Sequence, residues 1–589
     1  MCGIAGEVRF DSERPSASVI EAMNIRQTPR GPDGRGVWAD KHVAFGHRRL
    51  KIIDLSDNAA QPMTDAELGL TIVFNGCIYN YKALRAQLGQ LGYRFETTSD
   101  TEVLLKAYAA WREDCVHHLN GMFAFAVYES STGHVFIARD RLGIKPFYYT
   151  EGNGFFRFAS SLPALLSVHE ESVDLNPVAL HHYLTFHSVV PAPYTILNAF
   201  HKLPPATRMT IHPDGSRSME RYWEPHFAPN GTGELSFDEA KERVLETLDT
   251  AVQRRMVADV PVGVLLSGGV DSSLIVGLLA RNGARDLNTF TVGFEDVGEE
   301  VGNEFEYSDT IAAAFGTEHH KFTVDSAELT EHLPACFEAM SEPMVSHDNI
   351  AFYLLSRKVA EHVKVVESGQ GADEVFGGYH WYPPLMDSAA PVEDYAREFF
   401  DRDHREMADM LDPRWLGADH SREFVTEHFA GAQADRGVDK ALHLDTTVML
   451  VDDPVKRVDN MTMAWGLEAR VPFLDHEVVE LAAQLPADIK VVPEGKYVLR
   501  EAARAVVPSK VIDRPKGYFP VPALKYLNGR TLEFVKDAIN GRRGKERGLF
   551  KRPYIERLLD APMEHLTPLR GSKLWQVAAL EVWLQTQAV

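Results

Sequence analysis

Apolar positions follow two different rhythms along this chain. Up to about Thr210 they form short alternating or continuous runs, GIAGEVRF, HVAFGH, LTIVFNG, FAFAVY, HVFIARD and FFRFAS, separated by breaks rich in glycine and aspartate. Runs of this length between turn residues predict strands of an antiparallel sheet system. Two stretches with helical spacing, Ser18 to Arg26 and Asp100 to Trp111, supply helices to cover a sheet. Residues 1–210 are therefore read as a layered α+β domain. Beyond a polar stretch around Ala228 to Ser236, long helical periods alternate with short β-branched strands. Residues 211–235 are read as a linker, and 236–589 as an α/β domain with a parallel sheet and many helices.

Bulk properties narrow the function classes. At 589 residues the chain exceeds the size at which one hydrophobic core keeps growing, in keeping with two domains. Its 84 acidic and 61 basic side chains give a net charge of -23. That balance speaks against nucleic acid or an anionic membrane as a partner, and a polyanion such as ATP needs a local positive site. No apolar run approaches the roughly 20 residues of a membrane span, and no basic segment followed by an apolar one opens the chain, so a cytoplasmic location is expected. Cys2, Cys77, Cys115 and Cys336 lie far apart with no Cys-x-x-Cys pair, so the cysteines indicate neither a zinc site nor a disulfide framework.

The position of Cys2 raises a chemical question. It is a terminal residue feeding an edge strand, or, once Met1 is removed, a residue carrying both a thiol and a free α-amine. Three polar clusters bear on the choice: GHRRLKIID with Arg49, FNGCIYNY with Asn75 and Gly76, and TTSDTEV with Asp100. Singly, Asp100 reads as a helix N-cap and Asn75-Gly76 as a hairpin turn. Together they supply what a free amino acid with a carboxamide side chain requires. Cys2 is the nucleophile, Asn75 and the Gly76 N–H are oxyanion donors, Arg49 takes the carboxylate and Asp100 the ammonium. An α-amine titrating near about pH 8 is matched to accept a thiol proton.

A second group lies in DVPVGVLLSGGVDSSLIVGLLARNG, read as strand VGVLL, loop Ser267 to Ser272 and a helix ending at Gly283. Small loop residues let backbone N–H groups approach an anion, and the helix N-terminus adds partial positive charge. An ordinary strand-to-helix turn is the alternative; a Walker A loop is excluded because GxxxxGK[ST] is absent. Further strands in NTFTVGF and VKVVESGQGADEVFGGY predict a parallel sheet with its ligand at the C-terminal edge. Asp271 and Asp373, on separate loops, are hard oxygen ligands suited to Mg2+ on phosphates, or else helix caps. Lys496 alone reads as a surface lysine, and Lys456, Asp459 and Arg470 as part of a buried ion-pair network.

Longer strings carry a resemblance. MCGIAGEVRF, RGPDGRGVW, GHRRLKIIDLS, FNGCIYNY, TTSDTEVLL, LNGMFAFAVYE and ARDRLGIKPFYY resemble the class II glutamine amidotransferase domain, an N-terminal-nucleophile hydrolase of αββα layers. The resemblance implies that Cys2 attacks the glutamine side-chain amide and releases ammonia, with Arg49, Ile53, Asn75, Gly76, Cys77 and Asp100 at glutamine-site positions. The usual string is N-G-E-I-Y-N; Cys77 replaces a glutamate that helps hold the ammonium. Glutaminase activity is expected to persist, with weaker glutamine binding. SGGVDS resembles the PP-loop of ATP pyrophosphatases, which places Leu265, Ser267, Gly268, Gly269, Asp271, Ser272, Val292, Ser368 and Gly369 around ATP, with Asp271 and Asp373 holding Mg2+.

VKRVDNMTMAWGLEARVPFLDHEVVELA and PEGKYVLREAARAVVP resemble the synthetase domain of the asparagine synthetase family, with Lys496 on the catalytic-lysine position. The implied activity is glutamine-hydrolysing, ATP-dependent amide synthesis through an adenylated carboxylate. Where asparagine synthetases have S-G-E-G this chain has SGQG, and Gln370 weakens recognition of a free ammonium. VKVVESGQGADEVFGGYHWYPP, SEPMVSHDNIAFYLLSR and FASSLPALL are most similar to the N-acetylglutaminylglutamine amidotransferase branch, whose N-blocked acceptor yields an osmoprotectant amide. His347, Asp348 and Gln370 are then candidate acceptor contacts. Aspartate is the alternative acceptor; a glutaminase without synthetase activity and a degenerate nucleotide-binding regulatory protein are the alternatives of other classes. The expected partners are glutamine, ATP and a carboxylate, with homodimerisation left open.

Overall fold

The computed structural model describes residues 2–589 apart from 170–172, 228–234, 297–301, 515–520, 522–523 and 525–526. The apolar runs of the first part form two six-stranded sheets. In one, Gly3–Arg9 pairs antiparallel with Val43–Arg49 and with Phe155–Ala159. In the other, Gly121–Glu129 lies antiparallel between Leu70–Ile78 and His134–Arg139. Alternate side chains of each strand face the partner sheet, so Ile4, Val8, Phe45, Val73, Ala124 and Phe158 share one core. The opposite faces carry helices. Ile20 and Met23 of Ala17–Arg26 pack with Ala5 and Ala44, and Val103 and Leu104 of Asp100–Trp111 pack with Ile72 and Phe74. The result is an αββα layered domain.

The expected linker, 211–235, begins inside this domain. Thr207–Ile211 pairs with Arg217–Arg221, an edge strand exposed at all its positions, and only the chain after Arg221 leaves the sheet. Helix Phe237–Arg255 then opens the second domain with a capping box in which Ser236 and Glu239 satisfy each other's backbone N–H groups.

The second domain is built on a five-stranded parallel sheet ordered Glu318–Val324, Asn288–Phe294, Val262–Leu265, Val365–Glu367, Glu468–Arg470. Chain order runs outward from Val262–Leu265 in one direction and restarts on its other side with Val365–Glu367. A crevice opens beyond the strand C-termini at such a reversal. Among the described residues, no helix is long and apolar enough to cross a membrane.

Buried charge joins the domains. Asp459, on helix Lys456–Met463, accepts from Arg30 at 2.8 and 3.2 Å and from Lys145 at 3.2 Å. Burial alone would raise the Asp459 carboxyl, and the two cations outweigh it and hold it below the usual range. Lys202 bridges Glu342 at 2.9 Å and Asp452 at 2.5 Å. Lys456 lies 3.8 Å from Glu342 and 3.9 Å from Asp452, and burial pushes its ammonium down. Desolvating these charges is expensive, so such pairs favour one docking arrangement over others more than they add net stability.

Candidate functional site

Cys2 sits at the head of the first strand, buried, where its N–H donates to Asn75 Oδ1 at 3.0 Å and its carbonyl accepts from Arg30 Nε at 3.3 Å. Burial pushes its thiol up, opposed by a backbone hydrogen bond from Leu50 and by Arg49. The expected removal of Met1 concerns a residue outside the described ones. Asn75 and Gly76 are not a hairpin turn: both lie within strand Leu70–Ile78. A Cβ at Gly76 would stand 2.1 Å from the Met122 carbonyl on the neighbouring strand, so only glycine fits.

Asp100 is not the N-cap of its helix. Ser99 takes that role, its Oγ accepting from the Thr101 N–H at 3.0 Å, and Asp100 follows as the first helical residue. Its Oδ2 accepts from the Ile78 N–H at 3.1 Å, and burial pushes the carboxyl up to about 6. The Arg49 guanidinium donates to the carbonyls of Ser56, at 2.7 Å, and Asp54. Cys2, Arg49, Ile53, Gly76, Cys77 and Asp100 line a single narrow cavity, with Asn75 attached through its bond to Cys2.

Of the lining residues that sequence reasoning did not assign to this cavity, two come from the second domain, Glu468 and Arg470. Arg470 donates to Glu468 at 2.6 Å and to the carbonyls of Arg255 and Val257 at 2.5 and 2.8 Å, and its Nη2 lies 3.6 Å from Cys77 Sγ. Burial alone would raise the Glu468 carboxyl; nearby cations, Arg470 and Lys145 among them, hold it at about 2. The Cys77 thiol, by contrast, is driven far up by burial and stays protonated.

The second cavity, about 630 Å³, lies at the reversal of the parallel sheet. Leu265, Ser267, Gly269, Asp271, Ser272, Val292, Ser368, Gly369, Asp348, Gln370, Asp373 and Lys496 all line it. Gly269 caps helix Val270–Arg281, its N–H donating to Ser267 Oγ at 3.2 Å, and Ser267 Oγ meets Ser272 Oγ at 3.2 Å. Gly268 stands behind the lining: its φ is 75°, and a Cβ there would fall 2.7 Å from the Ser308 nitrogen. The loop thus keeps its backbone thin beside a helix N-terminus.

Lys496, at a left-handed backbone position with φ 49°, reaches Asp271 at 2.8 Å and Asp373 at 3.1 Å. Burial alone would lower its ammonium, but the two carboxylates outweigh that and raise it, so Lys496 is a fixed positive charge. Asp348 is the first residue of helix Asp348–Val359. Burial raises its carboxyl, and Arg457, 3.4 Å away, opposes this. His347 does not line the cavity: its ring stands edge-on to Trp575 with centroids 6.1 Å apart.

A model of the asparagine synthase family matches residues 243–585, and a model of the glutamine amidotransferase domain matches residues 1–223. Over 99% of its length the chain is 33% identical to asparagine synthetase [glutamine-hydrolyzing] 1 of Bacillus subtilis, covering 96% of that protein. It is 32% identical to asparagine synthetase [glutamine-hydrolyzing] 3 of the same organism, over 88% of this chain and 87% of the relative. Among solved structures, the glutamine phosphoribosylpyrophosphate amidotransferase of B. subtilis matches with a TM-score of 0.31 and 14% identity, over 56% of this chain and 92% of that chain.

Proposed function

From the premise that this chain belongs to the asparagine synthase family and is a glutamine-hydrolysing, ATP-dependent ligase, we propose that its acceptor is an N-blocked carboxylate, N-acetylglutaminylglutamine. The products are the amide, AMP, pyrophosphate and glutamate.

The observation that carries this reading is the charge balance of the second cavity. Each of the seven carboxylates among its described lining residues already has a partner. Asp271 and Asp373 hold Lys496, Asp348 faces Arg457, Glu304 faces Arg514, Glu494 faces Arg500 and Asp513 faces Arg504. Glu374 accepts from Tyr379 at 2.6 Å, and burial pushes it up to about 7. Gln370 adds no charge. With the Asp271–Asp373 pair taken by Lys496 and suited to Mg2+, Glu374 is the one lining carboxylate without a cationic partner that a substrate ammonium would meet, whereas an N-acetyl group needs none.

The chemistry divides between the cavities. Cys2 Sγ attacks the glutamine amide carbon and its proton goes to the α-amine left by removal of Met1. Asn75 and Gly76 take the oxyanion, the α-ammonium returns the proton to the leaving nitrogen so that ammonia departs, and water releases glutamate from the thioester. Arg49 and Asp100 orient the substrate's carboxylate and ammonium. In the second cavity the acceptor carboxylate displaces pyrophosphate from the ATP α-phosphorus, and ammonia then displaces AMP from the acyl carbon. Lys496 offsets the charge that develops on phosphorus.

Asp271 and Asp373 fit Mg2+, since both already converge on one cation, and a bound Mg2+ would supply charge neutralisation to the phosphates. The two cavities share one sheet edge, which the ammonia would follow. Glu468–Arg470 borders the first cavity and pairs with Val365–Glu367, whose next residues, Ser368 and Gly369, line the second.

Aspartate is the second reading, favoured by the names of the relatives at 32 and 33% identity. Pyrophosphate release by wild type and Gln370→Glu, with each acceptor, separates the two. Release with the N-acetylated dipeptide and a shift toward aspartate in Gln370→Glu is expected. Release with aspartate alone in wild type contradicts the proposal.

A further inference from the structure

Away from both cavities, three side chains from separate elements bring their ligand atoms together. His181 lies on helix Pro177–Thr185, His404 opens helix His404–Met410, and Asp419 is the N-cap of helix His420–Gly431. His181 Nε2 is 3.3 Å from His404 Nδ1 and 3.7 Å from Asp419 Oδ1, and the three atoms all lie within 4.8 Å of one another. None of the three residues lines either reaction cavity.

The spacing is that of one face of a coordination polyhedron. With bonds of about 2.1 Å, two ligand atoms of a tetrahedral site stand about 3.4 Å apart. His181 is held from behind: its Nδ1 is 3.0 Å from Ser421 Oγ, which is 3.1 Å from His182 Nδ1. If Ser421 donates to His182 and accepts from His181 Nδ1–H, the Nε2 lone pair of His181 faces His404 and Asp419, as second-shell support for a metal-bound histidine requires. Asp419 Oδ1 also accepts from the Arg422 N–H at 3.3 Å, which fixes the carboxylate.

We propose that His181, His404 and Asp419 bind a structural divalent transition-metal ion of the zinc type, with water completing the shell. Two imidazoles and one carboxylate form the donor set for such an ion, and neither Mg2+ nor Ca2+ favours it. The site joins a helix of the first domain to two helices of the second part, and histidine rings from all three meet there: His181 stacks near His404 at 5.6 Å and meets His420 edge-on at 5.7 Å.

The test uses the full-length protein stripped with a chelator and then titrated with Co2+ in excess Mg2+, which keeps the aspartates of the ATP cavity occupied. One equivalent of Co2+ is expected to give the intense visible absorption of a tetrahedral nitrogen-ligated ion, to be displaced by Zn2+, and to raise the melting temperature. Because His181 is buried, the variants are His404→Gln and Asp419→Asn, at half-buried positions. Both are expected to lose the band and the thermal shift while keeping wild-type pyrophosphate release. An absent band in wild type, or an unchanged band in both variants, overturns the proposal and leaves a hydrogen-bonded histidine pair.

Discussion

Glu367 is completely buried on the last position of its strand, and neither carboxylate oxygen has a hydrogen-bond partner among the described residues. Burial, opposed by Arg255 and Arg470, pushes its carboxyl from 4.5 up to about 8. A folded pKa above the unfolded one means that its contribution to stability is complete below about 4.5 and is lost as pH rises through about 8. Glu367→Gln should therefore flatten the decline in unfolding free energy over that interval and leave the variant more stable than wild type at the alkaline end. Denaturant melts across the range check this, and parallel profiles would contradict it. The sequence made other residues legible because each completes a chemical demand together with its neighbours: Cys2 with Asn75, Arg49 and Asp100, and Asp271 with Asp373 and Lys496. Glu468 and Arg470 were not legible as parts of the glutamine pocket. Nothing local in GLEARVPF says that its side chains reach a cavity built almost entirely by the other domain.

At the scale of elements, apolar rhythm predicted the central strands well because each has a face to bury. Gly3–Arg9, Leu70–Ile78 and Gly121–Glu129 all match runs that periodicity picks out. Arg217–Arg221 escaped because a strand exposed at every position has no alternation to read. The cap of Asp100–Trp111 was assigned one residue late, since Ser99 and Asp100 are both good N-caps and only tertiary contact turns the Asp100 carboxylate to Ile78. Helix Lys456–Met463 makes a sharper claim, because its Asp459 pairs with both Arg30 and Lys145 from the first domain. Asp459→Ala takes from two buried cations the carboxylate they share and should lower the unfolding free energy by about 3–5 kcal/mol. Equilibrium unfolding measures this; a loss below about 1 kcal/mol would mean that the pair behaves like an exposed one.

For the whole molecule the account rests on a division of labour between two cavities joined through one sheet edge. Cys2→Ala should reduce glutamine-dependent synthesis by roughly 10³-fold or more while sparing synthesis from ammonium salts, because only the first cavity loses its nucleophile. Lys496→Ala should do the reverse, lowering pyrophosphate formation by roughly 10²-fold or more while glutaminase turnover persists. Steady-state assays with each nitrogen source read both, and equal losses in the two assays would dissolve the division. The most direct measurement follows the nitrogen itself. Purified protein is given amide-labelled glutamine, ATP, aspartate and N-acetylglutaminylglutamine together, and its products are identified by mass spectrometry. Label in the new amide of the N-acetylated dipeptide is the predicted result; label in asparagine alone, or only in free ammonia, would contradict it.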